Sequence, residues 1–343
     1  MIHEVAIHTK PNSCLCGLSR FFLCGFGLLL HAACGLVVDR TKGRRRVKPD
    51  LTVIVLTYNE EQNVRQALDS VSGWASQVIV LDSFSTDETV GVAREFGCEV
   101  YQNPFEDFGN QRNHALQLPI RGKWILFLDA DEWLPADLKE EITEAIAKDP
   151  AVSGYYLKRR LMWMGRWIRR GYYPTWILRL FRTGKGVCED RGVNEHLVVD
   201  GALGYLTHDF IHEDHKGLSE WVEKHNHYAA REAQELLKRD DNVQQHEIHA
   251  RLFGSQAERK RWLRRHIWER LPPLLRPFVY FAYRYVLCGG FLDGREAFIF
   301  HFLQGLWFPL LIDAKYLELR WQRAGAAPAD GAECHVRNSR ISG

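Results

Sequence analysis

The chain has 343 residues, 46% of them hydrophobic, which is enough to bury at least one full core beside smaller appendages. Its 45 basic and 43 acidic side chains nearly cancel to a formal charge of +2, so the overall charge indicates neither a polyanionic nor a polycationic partner. The eight cysteines show neither zinc-binding spacing nor the pattern of a small secreted disulfide-rich domain. We therefore expect reduced thiols in a cytosolic compartment.

The N-terminal segment contains an apolar run at residues 21–38 that is interrupted only by His31, and a basic run from Arg40 to Lys48 follows it. This length is near the lower limit for a membrane-spanning helix, and the basic flank predicts that the rest of the chain is cytoplasmic. A signal peptide and a downstream start codon are alternative interpretations. We assign residues 1–48 as a possible membrane anchor and a basic linker.

The pattern changes after Pro49. The run Leu51–Thr57 is short, β-branched and apolar, as is typical of a buried parallel strand. Asn59 and Gln62 then have the spacing of a capping box, which predicts a helix start. The apolar positions with helical spacing after it are Val64, Ala67, Leu68 and Val71.

Strands and helices continue to alternate along the next part of the chain. The predicted elements are a strand at 78–81, a helix ending at Gly97, a strand at 99–101, a helix at 110–116 and a strand at 124–128. This alternation predicts an α/β fold with a mainly parallel sheet covered by helices on both faces. Such sheets bind ligands at the carboxyl ends of their strands.

Three polar motifs follow predicted strands at that edge. They are Thr57-Tyr-Asn-Glu-Glu61, Asp82-Ser-Phe-Ser-Thr-Asp-Glu-Thr89 and Asp129-Ala-Asp131. Two carboxylates separated by one residue at a strand end can hold a divalent cation, and oxygen ligands suit Mg²⁺ or Mn²⁺. Each aspartate alone could be a turn or capping residue. The three motifs together favour a functional site for phosphate chemistry.

The second half of the chain has a different character. Residues 154–206 are strand-like and rich in aromatic and basic side chains, and residues 217–238 have the periodicity of an amphipathic helix. Within 262–319, charged residues interrupt every apolar run, so we expect no clean membrane-spanning helix there. Helices lying in the headgroup region of a membrane fit this pattern better.

In order, spacing and strand context, the three motifs resemble those of family 2 glycosyltransferases with the GT-A fold, over about residues 51–215. The resemblance implies that Thr57, Asn59 and Glu61 line a nucleotide pocket. It also implies that Asp82 accepts a hydrogen bond from the uracil ring or a ribose hydroxyl of a UDP-sugar.

The same resemblance implies a metal site at the third motif. Asp131 would be the main ligand of Mg²⁺ or Mn²⁺, and Asp129 would lie toward the ribose and the surroundings of the metal. The cation would stabilise the nucleotide diphosphate as it leaves. His212 matches the position where some relatives have a further metal ligand, and a zinc site built from several histidines is an alternative by spacing.

An inverting transfer also needs a general base near the acceptor hydroxyl. Glu195 lies in Gly192-Val-Asn-Glu-His-Leu197, which is similar to a Val-His-Glu-x-Leu pattern in a subgroup of lipopolysaccharide-core glucosyltransferases, with Asn194 in place of the usual His. Glu189 and Asp190 resemble the base motif of other family members. Glu195 is the preferred base.

Two further stretches resemble that subgroup, namely Gly171-Tyr-Tyr-Pro174 and Gly290-Phe-Leu-Asp-Gly294. The second of them implies a lipid-linked acceptor. Aromatic faces stack on sugars, and arginines pair with diphosphates. The candidate residues for these contacts are Tyr173, Trp176 and Arg179.

The resemblance thus implies an inverting enzyme that moves a hexose, most simply glucose from UDP-glucose, to a lipid-linked saccharide at the cytoplasmic face of the cell membrane. We expect a GT-A domain at 49–215, a membrane-associated helical region at 216–320 and a disordered tail at 321–343. A polyprenyl-phosphate sugar synthase is the alternative with the same fold. A binding module without catalysis is the alternative from another class, but no nucleic-acid motif accompanies the basic runs, and we expect no nucleic-acid partner.

Overall fold

The structure is a computed structural model that describes residues 48–148, 151–189, 197–241 and 271–326. Its sheet-containing part comprises β1 (Leu51–Thr57), α1 (Val64–Val71), β2 (Gln77–Asp82), α2 (Thr89–Glu95), β3 (Glu99–Gln102), α3 (Phe108–Ala115), β4 (Trp124–Asp129), β5 (Glu132–Trp133), α4 (Ala136–Ala147), β6 (Val152–Trp163), β7 (Arg166–Trp167), β8 (Thr175–Arg182), β9 (Gly186–Cys188), β10 (Leu197–Val199) and β11 (Ala202–His212). Its helical part comprises α5 (Gly217–Asp241), α6 (Arg276–Phe281), α7 (Arg295–Phe300) and α8 (Phe308–Ala326).

Within the described residues, one mixed sheet has the strand order β3-β2-β1-β4-β8-β6-β11-β5, with β7 paired to β6. Strands β3, β2, β1 and β4 are parallel, whereas β8 is antiparallel to both β4 and β6. The register places Thr57 beside Asp82 and Leu56 beside Asp129. The three polar motifs therefore meet at one edge of the sheet, as predicted.

Side chains of β1 alternate between two buried layers because successive residues of a strand point to opposite faces. Val53 and Val55 pack with Leu68 of α1 in one cluster, and Ile54 packs with Phe127 in the other. All of these side chains are at most 2% exposed. Both faces of the parallel half are thus covered, which confirms the expected α/β fold class.

The predicted capping box at Asn59 is wrong. Helix α1 begins at Val64 with Asn63 before it, and Asn59 has a backbone φ of 51° in the left-handed region. Its side-chain oxygen accepts a hydrogen bond from the Thr86 backbone N–H at 2.8 Å. A contact with the loop after β2 therefore replaces the local cap, and sequence spacing alone does not reveal it.

The expectation that residues 262–319 contain no helix able to span a membrane is also wrong. Residues Arg295–Ala324 form one continuous helix that is long and apolar enough to cross a bilayer, with 33% of its apolar window buried in the protein. The charged pair Arg295 and Glu296 lies in its first turn and does not interrupt its middle. Farther along, Asp313 is paired with Arg276 of α6.

Some expectations fall partly or wholly outside the described residues. The apolar run 21–38 and residues 242–270, between α5 and residue 271, lie outside the described residues. The final helix continues to Ala326, so the first residues of the tail expected at 321–343 are helical.

Candidate active site

A cavity of about 1680 Å³ opens at the carboxyl ends of β1, β2 and β4, and α5 lies along its side. Ordinary small-molecule sites occupy roughly 300–1,000 Å³. The cavity therefore has room for two substrates of ordinary size.

The loops that follow β1 and β2 are joined into one rim by hydrogen bonds between side chain and backbone. The Asn59 N–H donates to Ser85 Oγ at 2.8 Å, and Asn59 Oδ1 accepts from Thr86. The Glu61 carboxylate accepts from the Glu88 N–H at 3.2 Å. Thr57, Asn59 and Glu61 all line the cavity, and their contact with a nucleotide stays a prediction.

Asp82 lies beneath this rim and is fully buried. Its carboxylate accepts hydrogen bonds from Thr57 Oγ1 at 3.0 Å, from the Ser85 N–H at 2.8 Å and from Gln102 Nε2 at 3.1 Å, and also from the Ser85 hydroxyl. Asp82 thus fixes the turn that carries Ser85. Its contact with a uracil ring or ribose stays a prediction.

Asp129 is paired with arginine. Its carboxylate accepts from Arg179 Nη1 at 3.2 Å and Nη2 at 2.5 Å, and Arg112 Nη2 lies 3.3 Å away. Burial alone would raise the pKa of Asp129, but Arg179 and Arg112 outweigh it and hold that pKa well below its usual range. Asp129 is therefore ionised, and it lines the cavity. Its role toward ribose or metal stays a prediction.

Asp131, Glu132 and His212 form a cluster in which one ligand atom of each lies within 4.8 Å of the others. Strand β11 brings His212 to this place because its last residue pairs with Glu132 of β5. His212 Nδ1 lies 3.4 Å from Asp131 Oδ1, and this buried nitrogen makes no hydrogen bond within the described structure. A cation between Asp131 and His212 would satisfy it, so the donor set fits a metal.

Protonation states in this cluster are set by opposing effects. Burial would raise the pKa of Asp131, but neighbouring His212 keeps it well below its usual range. Burial would lower the pKa of His212, and Asp131 raises it overall. Burial raises the pKa of Glu132, although Arg179 acts in the opposite direction. Asp131 is consequently the ionised oxygen donor of the cluster.

Glu132 is occupied by protein contacts. Its Oε1 accepts from Arg179 Nη2 at 2.8 Å, and its Oε2 accepts from the Asp129 N–H at 3.0 Å. It therefore supports Arg179 and Asp129, and leaves Asp131 and His212 to face a cation.

Arg179 is held by two carboxylates and is 6% exposed. Its predicted pairing with a diphosphate would have to compete with these bonds. Trp176 lines the cavity, whereas the Tyr173 hydroxyl donates to Asp209 Oδ1 at 3.0 Å and does not belong to the cavity wall. The structure thus brings Trp176, but not Tyr173, to the site.

Of the three candidate bases, only Glu189 lies within the described residues. Glu189 is half-buried at the end of β9 and is not part of the cavity wall, while Asp190 and Glu195 lie outside the described residues. The choice of Glu195 stays a prediction.

The alternative zinc site built from several histidines does not form among the described residues. His208 Nδ1 lies 2.8 Å from Glu141, and His225 stacks on Trp221 with ring centroids 3.5 Å apart. Only His212 takes part in the acidic cluster.

Sequence reasoning missed Glu132, Arg112 and Lys224. Glu132 directly follows the paired aspartates, which is a signal that could have been used. Arg112 lies within α3, whose start is capped by the Asp107 side chain through a hydrogen bond from the Asn110 N–H. Lys224 lies beside the apolar stripe of α5 and lines the cavity, which no local pattern indicates.

Comparison with known proteins gives a family match. The profile of Glycosyl transferase family 2 matches residues 52–196. An uncharacterized glycosyltransferase of Rickettsia typhi is 28% identical over 200 residues, covering 55% of this chain and 68% of that protein. The lipopolysaccharide core biosynthesis glycosyltransferase LpsC of Rhizobium meliloti is 27% identical over 209 residues, covering 57% of this chain and 73% of LpsC.

Among solved structures, glucosyl-3-phosphoglycerate synthase from Mycobacterium tuberculosis, in complex with Mn²⁺, UDP and glucosyl-3-phosphoglycerate, matches with 24% identity and a TM-score of 0.28. The match covers 33% of this chain and 44% of that protein.

Proposed function

We propose that this chain, whose residues 52–196 match Glycosyl transferase family 2, transfers a hexose, with glucose the first choice, from a UDP-sugar to a lipid-linked saccharide of the cell envelope. The acceptor would belong to lipopolysaccharide or another surface polysaccharide. The similarity to LpsC, a lipopolysaccharide core glycosyltransferase, supports this acceptor class.

One observation carries the proposal: the rim formed by the loops after β1 and β2 and the acidic cluster around Asp131 border the same cavity. The rim at Asn59 and Glu61 would hold the base and ribose. Asp131 and His212 would hold Mn²⁺ or Mg²⁺, with the imidazole favouring Mn²⁺ because Mg²⁺ prefers carboxylate, phosphate and water oxygens. When bound, the cation supplies charge stabilisation for the departing diphosphate.

The acceptor hydroxyl must lose a proton during an inverting transfer, and a carboxylate near the sugar serves as general base. We assign this role to Glu195, with Glu189 and Asp190 as alternatives. Replacing Glu195 by Gln should preserve donor binding and abolish turnover. The same result from Glu189→Gln or Asp190→Asn, with Glu195→Gln active, would contradict the assignment.

We further propose that the enzyme works at the cytoplasmic face of the cell membrane. Exposed apolar side chains cluster in the segment between α6 and α7, where Leu287, the last residue of a π-helix, is 78% exposed and Leu292, in a 3-10 helix, is 58% exposed. Basic Arg295 follows at once and is 91% exposed on its side chain. Apolar and basic groups side by side favour a surface of anionic lipid.

The direct test is a screen of nucleotide sugars for UDP release with Mn²⁺ or Mg²⁺, followed by the best donor with lipid extracts and mass analysis of the product. We expect a glycosylated saccharide lipid from UDP-glucose, and loss of turnover in Asp131→Ala. Asp137→Ala, on the exposed first turn of α4, is the matched control. A product formed on short polyprenyl phosphate, with none on saccharide lipids, would favour the alternative synthase.

A further inference from the structure

A diphosphate that leaves a sugar requires cationic partners. Arg179, which the sequence suggests for this role, is already bound to two carboxylates of the protein. Arg179 donates to both Asp129 and Glu132 and is almost fully buried. Breaking a buried, charge-assisted pair to reach a ligand is costly. Another cation of the cavity is therefore better suited to contact the diphosphate.

Lys224 is such a cation. It lies on α5, is exposed toward the cavity and lines its wall. Among the described residues, no carboxylate oxygen lies within 4 Å of its Nζ, in contrast to Lys216, whose Nζ lies 2.6 Å from Glu60. The Lys224 ammonium thus retains its donors for a ligand.

Two other cations that line the cavity, Arg112 and Arg284, make close contacts of their own. Arg112 lies 3.3 Å from Asp129, and Arg284 donates from Nε to the Gly171 carbonyl at 2.7 Å while its guanidinium faces the ring of Tyr172. These contacts anchor each side chain to the protein wall.

The surroundings of Lys224 point to the reaction centre. Although desolvation inside the cavity alone would lower it, the pKa of Lys224 is raised overall by Tyr228 and by the carboxylates Asp131 and Glu60. The ammonium therefore lies within electrostatic range of the proposed metal ligand and of the loop after β1. It stays charged at neutral pH.

The register of α5 fixes this orientation. Trp221 and Tyr228, one turn before and one turn after Lys224, also line the cavity. Trp221 packs edge-on against Trp163 at 5.4 Å, and Tyr228 packs against Phe108 of α3 at 6.3 Å. Residues spaced by three or four positions share one helix face, so α5 presents Lys224 between two anchored rings.

We propose that Lys224 binds the diphosphate of the nucleotide sugar beside the cation site at Asp131. The inference rests on the proposed function and adds a ligand contact from α5, beyond the matched residues 52–196. A lysine acts toward phosphate as a compact point charge with three donors. It holds the donor before transfer and stabilises the negative charge that UDP gains as the bond to the sugar breaks.

The test compares binding of UDP and of uridine, in the presence of Mn²⁺, to the full chain and to Lys224→Gln, using calorimetry and competition. We expect UDP affinity to fall roughly tenfold to hundredfold, the size expected for a lost charged hydrogen bond, while uridine affinity stays the same. Lys224→Arg should retain most UDP affinity. Lys238→Gln, an exposed lysine of the same helix, is the matched control and should bind like the unmodified protein.

Unchanged UDP affinity in Lys224→Gln would overturn the inference, and so would an equal loss for UDP and uridine, which indicates a structural effect. Both outcomes leave the proposed function intact as long as the unmodified chain binds UDP. Failure of the unmodified chain to bind UDP with Mn²⁺ would overturn the proposed function, and the role of Lys224 with it.

Discussion

Arg179 shows how single residues organise this site. One guanidinium pairs with two carboxylates, Asp129 and Glu132, and reduces their mutual repulsion at the end of β4. Such a buried ion pair matters for stability mainly because removing one partner would leave the other charge buried without compensation. The arginine therefore keeps Asp131, between the two acids, in place for a ligand.

Replacing Arg179 by Met should lower the free energy of unfolding by about 3–5 kcal/mol, because two buried acids lose their partner. Chemical denaturation measures this change. Arg65→Met serves as control, since Arg65 forms an exposed ion pair with Glu95 that is worth about 1 kcal/mol or less. Equal effects of the two substitutions would contradict the role given to Arg179.

Replacing His212 by Gln should weaken Mn²⁺ binding by about tenfold or more. Substitutions of residues that only hold metal ligands in place already reduce metal affinity by about tenfold to a hundredfold, and His212 would be a ligand itself. Titration of Mn²⁺ in the presence of UDP measures it. His208→Gln removes a histidine of the same strand that bonds to Glu141 outside the cluster. A His212 variant that binds Mn²⁺ as the His208 variant does would remove His212 from the site.

At the scale of elements, sequence patterns predict those helices and strands whose apolar residues show by their spacing which faces are buried. The strand Leu51–Thr57 is apolar on both faces, and the structure has it with those bounds. The contact of Asn59 with Thr86 depends on the neighbouring loop, so spacing suggested a helix cap instead. Lys224 acquires its position only when α5 packs along the cavity, which periodicity does not reveal.

Helix α5 contains a pH-sensitive residue at its junction with α8. His225 stacks on Trp221 and contacts Phe308, and burial lowers its pKa to about 4. The unfolded chain, with a pKa near the ordinary value of about 6.5, binds the proton more readily between these limits. The contribution of neutral, buried His225 to the stability of the folded state is therefore complete above about pH 6.5 and declines as the pH falls toward 4.

We expect the free energy of unfolding to decrease through this interval with a contribution of at most about 1.4 kcal/mol per pH unit from His225. Denaturation at a series of pH values measures it. His225→Gln should show a smaller slope, whereas His227→Gln, an exposed residue of the same helix, should keep the original one. Parallel slopes for all three proteins would contradict the prediction.

At the scale of the whole molecule, the proposed donor site lies at one edge of the sheet, while the C-terminal helical part presents exposed apolar side chains. The continuous helix Arg295–Ala324 is packed against α5, which lines the cavity. A lipid-linked acceptor held at that surface would approach the cavity from the helical side. The proposed lipid surface and the proposed donor site would thus be connected through α5 and the helix Arg295–Ala324.

Replacing Leu287 and Leu292 together by Asp should reduce binding to anionic vesicles, because both exposed apolar side chains lie in the segment between α6 and α7. Co-sedimentation with phosphatidylglycerol vesicles measures the bound fraction. Val198→Asp, at an exposed apolar position on β10, is the control and should leave binding unchanged. Vesicle binding that survives the double substitution would place the lipid contact elsewhere.

The most direct measurement is a crystal structure of the protein with UDP and Mn²⁺, in which anomalous scattering locates the metal. We predict one manganese peak between Asp131 and His212, with the diphosphate of UDP beside it and the uridine at the rim formed by Asn59 and Glu61. Manganese and UDP bound together away from Asp131 would contradict the account.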